Sequence, residues 1–213
     1  MKPVVASAAG LEWERLASLA PDLVIAWRDG FRDTDLARLE GLGAKVYVAP
    51  ARSLADIAPL LRDVARLAGG DAAPAVAAYE GELSRLRARH ASRPRVSVFL
   101  EVSHKPLLTA GGRHFLGEAL AACGADNVYA DRGEAAPAVS WEDLHARDPA
   151  IIIGTGMRAD GEGPFRAAWA ARPGLRAVRD GRLAYVGSAA LGRPSPRIVE
   201  GIDALCRAIE PLR

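Results

Sequence analysis

A Trp-Glu-x-Leu tetrad occurs twice in the chain, at residues 13–16 and 141–144. Each copy begins eight residues ahead of a proline that precedes an apolar run, Pro21 before LVIAW and Pro149 before AIIIG. A second pair of segments keeps the same order, since Gly43-Ala-Lys-Val-Tyr47-Val matches Gly181-Arg-Leu-Ala-Tyr185-Val. Two matches in sequence argue for a duplicated unit in which helices alternate with short buried strands. That pattern restricts the chain to an α/β architecture: two Rossmann-like lobes with small, mostly parallel sheets flanked by helices.

Residues 73–90 separate the two copies and read as one long helix. Pro74 suits a first turn, where its missing N–H costs nothing, and strong helix formers follow until Pro94 forbids continuation. At about 1.5 Å per residue this helix is roughly 30 Å long. It predicts a rigid strut, small relative motion of the lobes and a cleft of nearly fixed width. The expected division is an N-terminal lobe at 1–71, a connecting helix at 72–93 and a C-terminal lobe at 94–213. The strand, loop and helix expected over 95–123, ahead of Trp141, have no counterpart ahead of Trp13. The first lobe therefore reads as N-terminally truncated, or as having lost a strand.

Local signals fill in the elements. In the first half they predict a helix over 11–20, a buried strand at 23–27, a helix over 34–42 capped by Thr34 and a strand at 45–49. A helix capped by Ser53 then leads to the strut. Beyond it come a strand at 95–101, a loop over 102–112 and a helix at 114–123, followed by an extended piece at 127–131 and a helix at 140–147. Strands at 150–154 and 183–186 and helices at 163–171 and 196–209 complete the second lobe.

Composition narrows the function. Half the residues are hydrophobic, a quarter are charged and the net charge is +2 with the signs interspersed, so no basic footprint for nucleic acid stands out. No run of about 18 apolar residues is present to span a membrane. Met1-Lys2-Pro3 leads into folded-looking sequence without a secretory leader pattern, which read literally says cytoplasm. The two cysteines, Cys123 and Cys206, are compatible with separate buried thiols or with a bridge, and neither lies in a metal-ligand spacing.

In open α/β sheets ligands sit beyond the carboxyl ends of the strands, which nominates the loops there as the walls of a shared cleft. Trp27, followed by Arg28, closes the first apolar strand, where the indole either faces a ligand or seals its own core. Tyr47 lies in the next strand. In the second half, Ser103 and His104 follow RVSVFLE, and the imidazole could ligate iron or cobalt, bind an anion, or be solvated. Thr109 with Gly111-Gly112 reads as a tight turn with backbone groups aimed at the cleft. Gly154-Thr-Gly156-Met157 opens a weak dinucleotide fingerprint with no helix starting inside it. Leu191 lies in the last loop. Walker-A, G-x-S-x-G and H-E-x-x-H patterns are absent, so catalysis is unsupported, and the reading from another class is a nucleotide-using α/β enzyme.

Several longer segments together resemble a known family. PDLVIAW, LTAGG ahead of a helix ending LAACGADNVYAD, VSWEDLHARDPAIII and SPRIVEGIDALC are similar to the helical-backbone (class III) solute-binding proteins of ABC transporters, nearest to the periplasmic cobalamin-binding group. The likeness covers nearly the whole chain. It implies a monomeric periplasmic binding protein, not an enzyme, with no cofactor of its own. Its cargo would be a cobalamin-like corrinoid, or alternatively a ferric siderophore or haem, handed to an inner-membrane permease. By the same resemblance Trp27 packs on the corrin ring, while Arg28, Tyr47, Ser103, His104, Thr109, Met157 and Leu191 are expected to line the ligand from their places in the strands and strand-end loops. Cys123 and Cys206 form a disulfide in an oxidising compartment, and Asp33 docks on permease arginines. Where the family has an aromatic residue and a glutamate before Ser195-Pro196-Arg197, this chain has Leu191, Gly192 and Arg193.

Overall fold

The computed structural model describes residues 4–7, 10–27, 31–49, 52–156, 161–187 and 189–213. It divides into two compact units, Met1–Pro50 and Ala51–Arg213.

The first unit opens with a short antiparallel pair, β1 (Ala6–Ser7) and β2 (Gly10–Leu11), so Leu11 belongs to a strand and not to the helix expected from residue 11. Helix α1 (Trp13–Leu19) follows, then β3 (Leu23–Trp27), α2 (Asp33–Gly41) and β4 (Lys45–Ala49). Strands β3 and β4 pair in parallel, Leu23 with Lys45 through Trp27 with Ala49. Leu16 of α1 and Leu36 and Leu39 of α2 pack with Val24, Ala26, Val46 and Val48 on one face of this sheet. Strand residues alternate between faces, so Ile25 points the other way and is 48% exposed. The LVIAW run is therefore half-buried, not a fully buried strand. Helix α2 begins one residue earlier than expected, after Arg32, because the Asp35 carboxylate accepts the Arg32 backbone N–H and pairs with its guanidinium; Thr34 is not the cap.

The second unit starts with a 3₁₀ turn, Leu54–Asp56, in which Asp56 accepts the backbone N–H groups of Arg52 and Ser53. Helix α3 (Ile57–Leu67) leads to α4 (Ala73–His90), which has the bounds expected of the strut and a length of about 27 Å. Its buried residues Val76, Tyr79, Leu83, Leu86 and His90 recur at three- and four-residue spacing and form one stripe. That stripe explains why 51–71, expected with the first lobe, pack here. Val76 joins Ala58 and Ala72 in one apolar cluster, the Tyr79 hydroxyl donates to the Leu54 carbonyl at 2.7 Å, and the Leu54 N–H reaches Glu118 at 3.0 Å.

The sheet of this unit is built on β5 (Val96–His104). The strand runs three residues beyond expectation and turns at Lys105-Pro106 into β6 (Leu107–Thr109), so the predicted loop is a hairpin and the sheet gains an antiparallel edge. Helix α5 (Phe115–Ala122) and β7 (Ala125–Asn127) follow, with β7 pairing the first residues of β5 on the edge that β6 uses further along. The extended piece expected at 127–131 is thus shorter and displaced toward 125. Helix α6 (Trp141–Arg147) leads to β8 (Ile151–Gly156) on the other edge of β5, and α7 (Glu162–Ala170) and α8 (Arg176–Arg179) lead to β9 (Leu183–Gly187) beside β8. Helix α9 (Ile198–Ile209) closes the chain against α5.

The internal repeat is visible in the backbone. Helices α1 and α6 each end on a non-glycine residue in the left-handed region, Ala20 at φ 41° and Asp148 at φ 34°, immediately before the matched prolines. Each repeat tryptophan also carries an arginine over its ring at 4.1 Å, Arg38 on Trp13 and Arg172 on Trp141. Among the described residues no helix is long and apolar enough to cross a membrane.

Candidate functional site

Parallel pairing of β5, β8 and β9 brings their carboxyl ends to one side of the second unit. A cavity of about 640 Å³ opens there. Residues 101–105 form one side, Pro164, Phe165 and Ala168 of α7 form another, and Thr155, Tyr185 and Arg172 complete it. Ser103 and His104 both border this cavity.

Glu101 is the most constrained polar group of this pocket. It lies at the end of the apolar run VFL and is only 7% exposed. Its Oε2 accepts the indole N–H of Trp169 at 2.6 Å and lies 3.3 Å from His104 Nδ1. Burial pushes the carboxyl above its usual range, against the opposing pull of His104 and Trp169. The His104 ring is held edge-on by Trp141 and Trp169, each with its centroid 6.0 Å away. The Thr155 hydroxyl donates to the Glu101 carbonyl at 2.9 Å and ties the ends of β5 and β8 together. A buried, hydrogen-bonded carboxylate beside an imidazole, backed by two indoles and opening on a cavity, is a rigid platform for a flat ligand carrying polar groups.

The glycines of the weak dinucleotide fingerprint have another explanation. A Cβ on Gly154 would overlap the Phe165 ring, and one on Gly156 or Gly161 would overlap the Tyr185 hydroxyl. Backbone space at these positions is filled by aromatic side chains of the pocket wall, not left open for phosphate.

Other expected site residues are placed differently. Thr109 is fully buried and its hydroxyl donates to the Leu100 carbonyl at 2.8 Å, so it braces the β5–β6 hairpin and faces no ligand. The N–H groups of Gly111 and Gly112 donate to Ala135 and Arg132 carbonyls at 2.9 Å each, which occupies the backbone groups expected to face the cleft. Leu191 is 1% exposed and borders a smaller cavity of about 200 Å³ with Gly192, Val102 and the start of α5. In the first unit, Trp27 is half-buried as the last residue of β3, Tyr47 is half-buried opposite Ile25, and Asp33 is exposed in the first turn of α2. Arg28 and Met157 lie outside the described residues.

Glu101, Trp169 and Arg172 were not singled out from the sequence. A charge ending an apolar strand was the available signal for Glu101. Trp169 and Arg172 carry none, because only the return of α7 over the sheet brings them to β5. Cys123 and Cys206 form a disulfide, with both residues buried and their Cα atoms 4.9 Å apart, clamping α5 to α9.

The profile of a family described as periplasmic binding protein matches residues 1–190. The vitamin B12-binding protein of Vibrio parahaemolyticus serotype O3:K6 is 29% identical over 211 residues, which are 98% of this chain and 76% of that protein. The crystal structure of the periplasmic vitamin B12 binding protein of Vibrio cholerae superposes with a TM-score of 0.80 at 26% identity, over 98% of this chain and 81% of that one. A periplasmic heme binding protein from Pseudomonas aeruginosa superposes with a TM-score of 0.83 at 29% identity, over 98% and 79% of the two chains.

Proposed function

The chain belongs to the periplasmic binding protein family, and from that premise we propose that it binds a cobalamin-like corrinoid in the periplasm and delivers it to the permease of an ABC importer. The observation that carries this reading is the aromatic-backed cavity at the carboxyl ends of β5, β8 and β9, in a chain that aligns over 98% of its length with a vitamin B12-binding protein. A cavity of about 640 Å³ admits a substantial part of a flat macrocycle, and its walls offer both ring faces and hydrogen-bonding groups. Trp27 is a further proposed contact in the first unit, and Asp33 a proposed permease contact. The protein acts as a monomer and carries ligand without transforming it.

Haem is the second reading. It is favoured by the similarity to the Pseudomonas aeruginosa heme binding protein and by two cationic side chains on the cavity, Lys105 and Arg172, which suit a ligand with carboxylate arms. Titration calorimetry with cyanocobalamin, haemin and a ferric hydroxamate siderophore separates these readings. Saturable one-to-one heat with cyanocobalamin is expected. Heat with haemin alone would shift the assignment to haem, and heat with NAD but none of the three chelates would refute a binding protein for metal chelates.

A further inference from the structure

We infer that Glu101 and His104 act as a carboxylate–imidazole pair that presents His104 Nε2 as an axial ligand to the metal of a planar chelate seated in this cavity, so that the site favours chelates with an exchangeable axial position. The inference rests on the metal-chelate reading above and adds the group that would touch the metal.

Four observations carry it. His104 borders the cavity and its side chain is 25% exposed. Its Nδ1 lies 3.3 Å from Glu101 Oε2, an oxygen that already accepts the Trp169 indole N–H at 2.6 Å. An oxygen acting as acceptor to one N–H is matched by a second, so we assign the ring proton to Nδ1, which leaves the lone pair on Nε2. Nε2 has no hydrogen-bond partner among the described residues. The ring cannot swing freely, because Trp141 and Trp169 hold it edge-on from two sides.

This is the arrangement that makes an imidazole a metal ligand: one nitrogen donates to a carboxylate, which fixes the tautomer and raises the basicity of the other. It points to a chelate and not to a bare cation. Among the described residues no group of three or more His, Cys, Asp or Glu side chains could hold a metal. One imidazole suffices where a macrocycle already fills the equatorial positions. Binding is then a ligand exchange in which the Nε2 lone pair forms a bond to the metal, the axial metal–water bond breaks and the water leaves. No electron is transferred, and the Nδ1 proton stays on the Glu101 hydrogen bond.

The test uses aquacobinamide, a cobalt corrinoid with exchangeable axial water and no nucleotide base, against dicyanocobinamide, whose axial positions both hold cyanide; haemin is run in parallel. With the native protein, the visible bands of aquacobinamide should move to those of an imidazole adduct, and it should bind about 10-fold or more tighter than the dicyano form. His104→Gln should abolish both the band shift and the preference for aquacobinamide over the dicyano form. Glu101→Gln should keep the shift but weaken aquacobinamide binding by about 10-fold, since the amide still accepts from Nδ1 but carries no charge. Circular dichroism confirms that each variant is folded, and the comparison of the two cobinamides on the native protein needs no variant. Bound aquacobinamide or haemin with an unshifted spectrum, or the same shift in His104→Gln, overturns the inference while leaving chelate binding intact. Failure of every chelate to bind overturns the functional reading and this inference together.

Discussion

Removing the Cys123–Cys206 bridge gives the sharpest test of how the second unit is held together. The bond joins the end of α5 to the third turn of α9 across a sequence separation of 83 residues, and β7, β8 and β9 all lie inside the closed loop. In the chain-entropy description a loop of that length stabilises the folded state by about 4.5 kcal/mol through restriction of the unfolded chain. With a urea dependence of about 2 kcal/mol per molar, the double variant Cys123→Ala/Cys206→Ala should lower the unfolding midpoint by about 2 M. Exposures of 0% and 2% shield the two cysteines, so a mild reductant should leave the native midpoint unchanged and act only once the unit opens. Urea unfolding followed by far-ultraviolet circular dichroism, with and without reductant, reads both effects. A midpoint shift below about 0.3 M, or two free thiols in denatured, unreduced protein, would refute the reasoning.

Three further substitutions probe other parts of the account. His90, at the end of α4, is buried, and its Nδ1 has no hydrogen-bond partner among the described residues; burial lowers its pKa below the ordinary value of 6.5. A lowered pKa means the neutral ring stabilises the fold above pH 6.5 and that stability is lost as pH falls through the folded value, so His90→Leu should make urea unfolding less sensitive to acidification from pH 7 to pH 5. Gly154→Ala places a methyl against the Phe165 and Tyr185 rings and should cost about 1–3 kcal/mol in thermal or urea unfolding. Ala20→Gly relieves a left-handed residue at φ 41° and should raise stability by about 0.5–1 kcal/mol, the opposite of what glycine does in an ordinary turn of helix.

Where elements follow from local rules, the sequence was sufficient. Pro74 and Pro94 bracket α4, and the Trp-Glu-x-Leu repeats find α1 and α6 with their following strands because the same helix-to-proline-to-strand joint recurs. The hairpin at Lys105-Pro106 was missed, since a proline and a lysine signal a loop while the pairing of Ser103 with Leu108 is a tertiary fact. Thr109 was misplaced for a related reason. Its hydroxyl meets the Leu100 carbonyl only after the strand has doubled back. The pocket was legible at His104 and not at Trp169, because the strand end announces the first and only the packing of α7 over β5 supplies the second. The fingerprint glycines show the converse: a pattern associated with phosphate is accounted for here by the volume of Tyr185 and Phe165.

The central claim, that a metal chelate is held at the carboxyl ends of the second unit's parallel strands, is tested most directly by a crystal structure of the protein grown with cyanocobalamin. Corrin density is expected in the cavity bordered by His104, Phe165 and Tyr185. Full-occupancy corrinoid elsewhere on the protein, with that cavity holding only solvent, would contradict it.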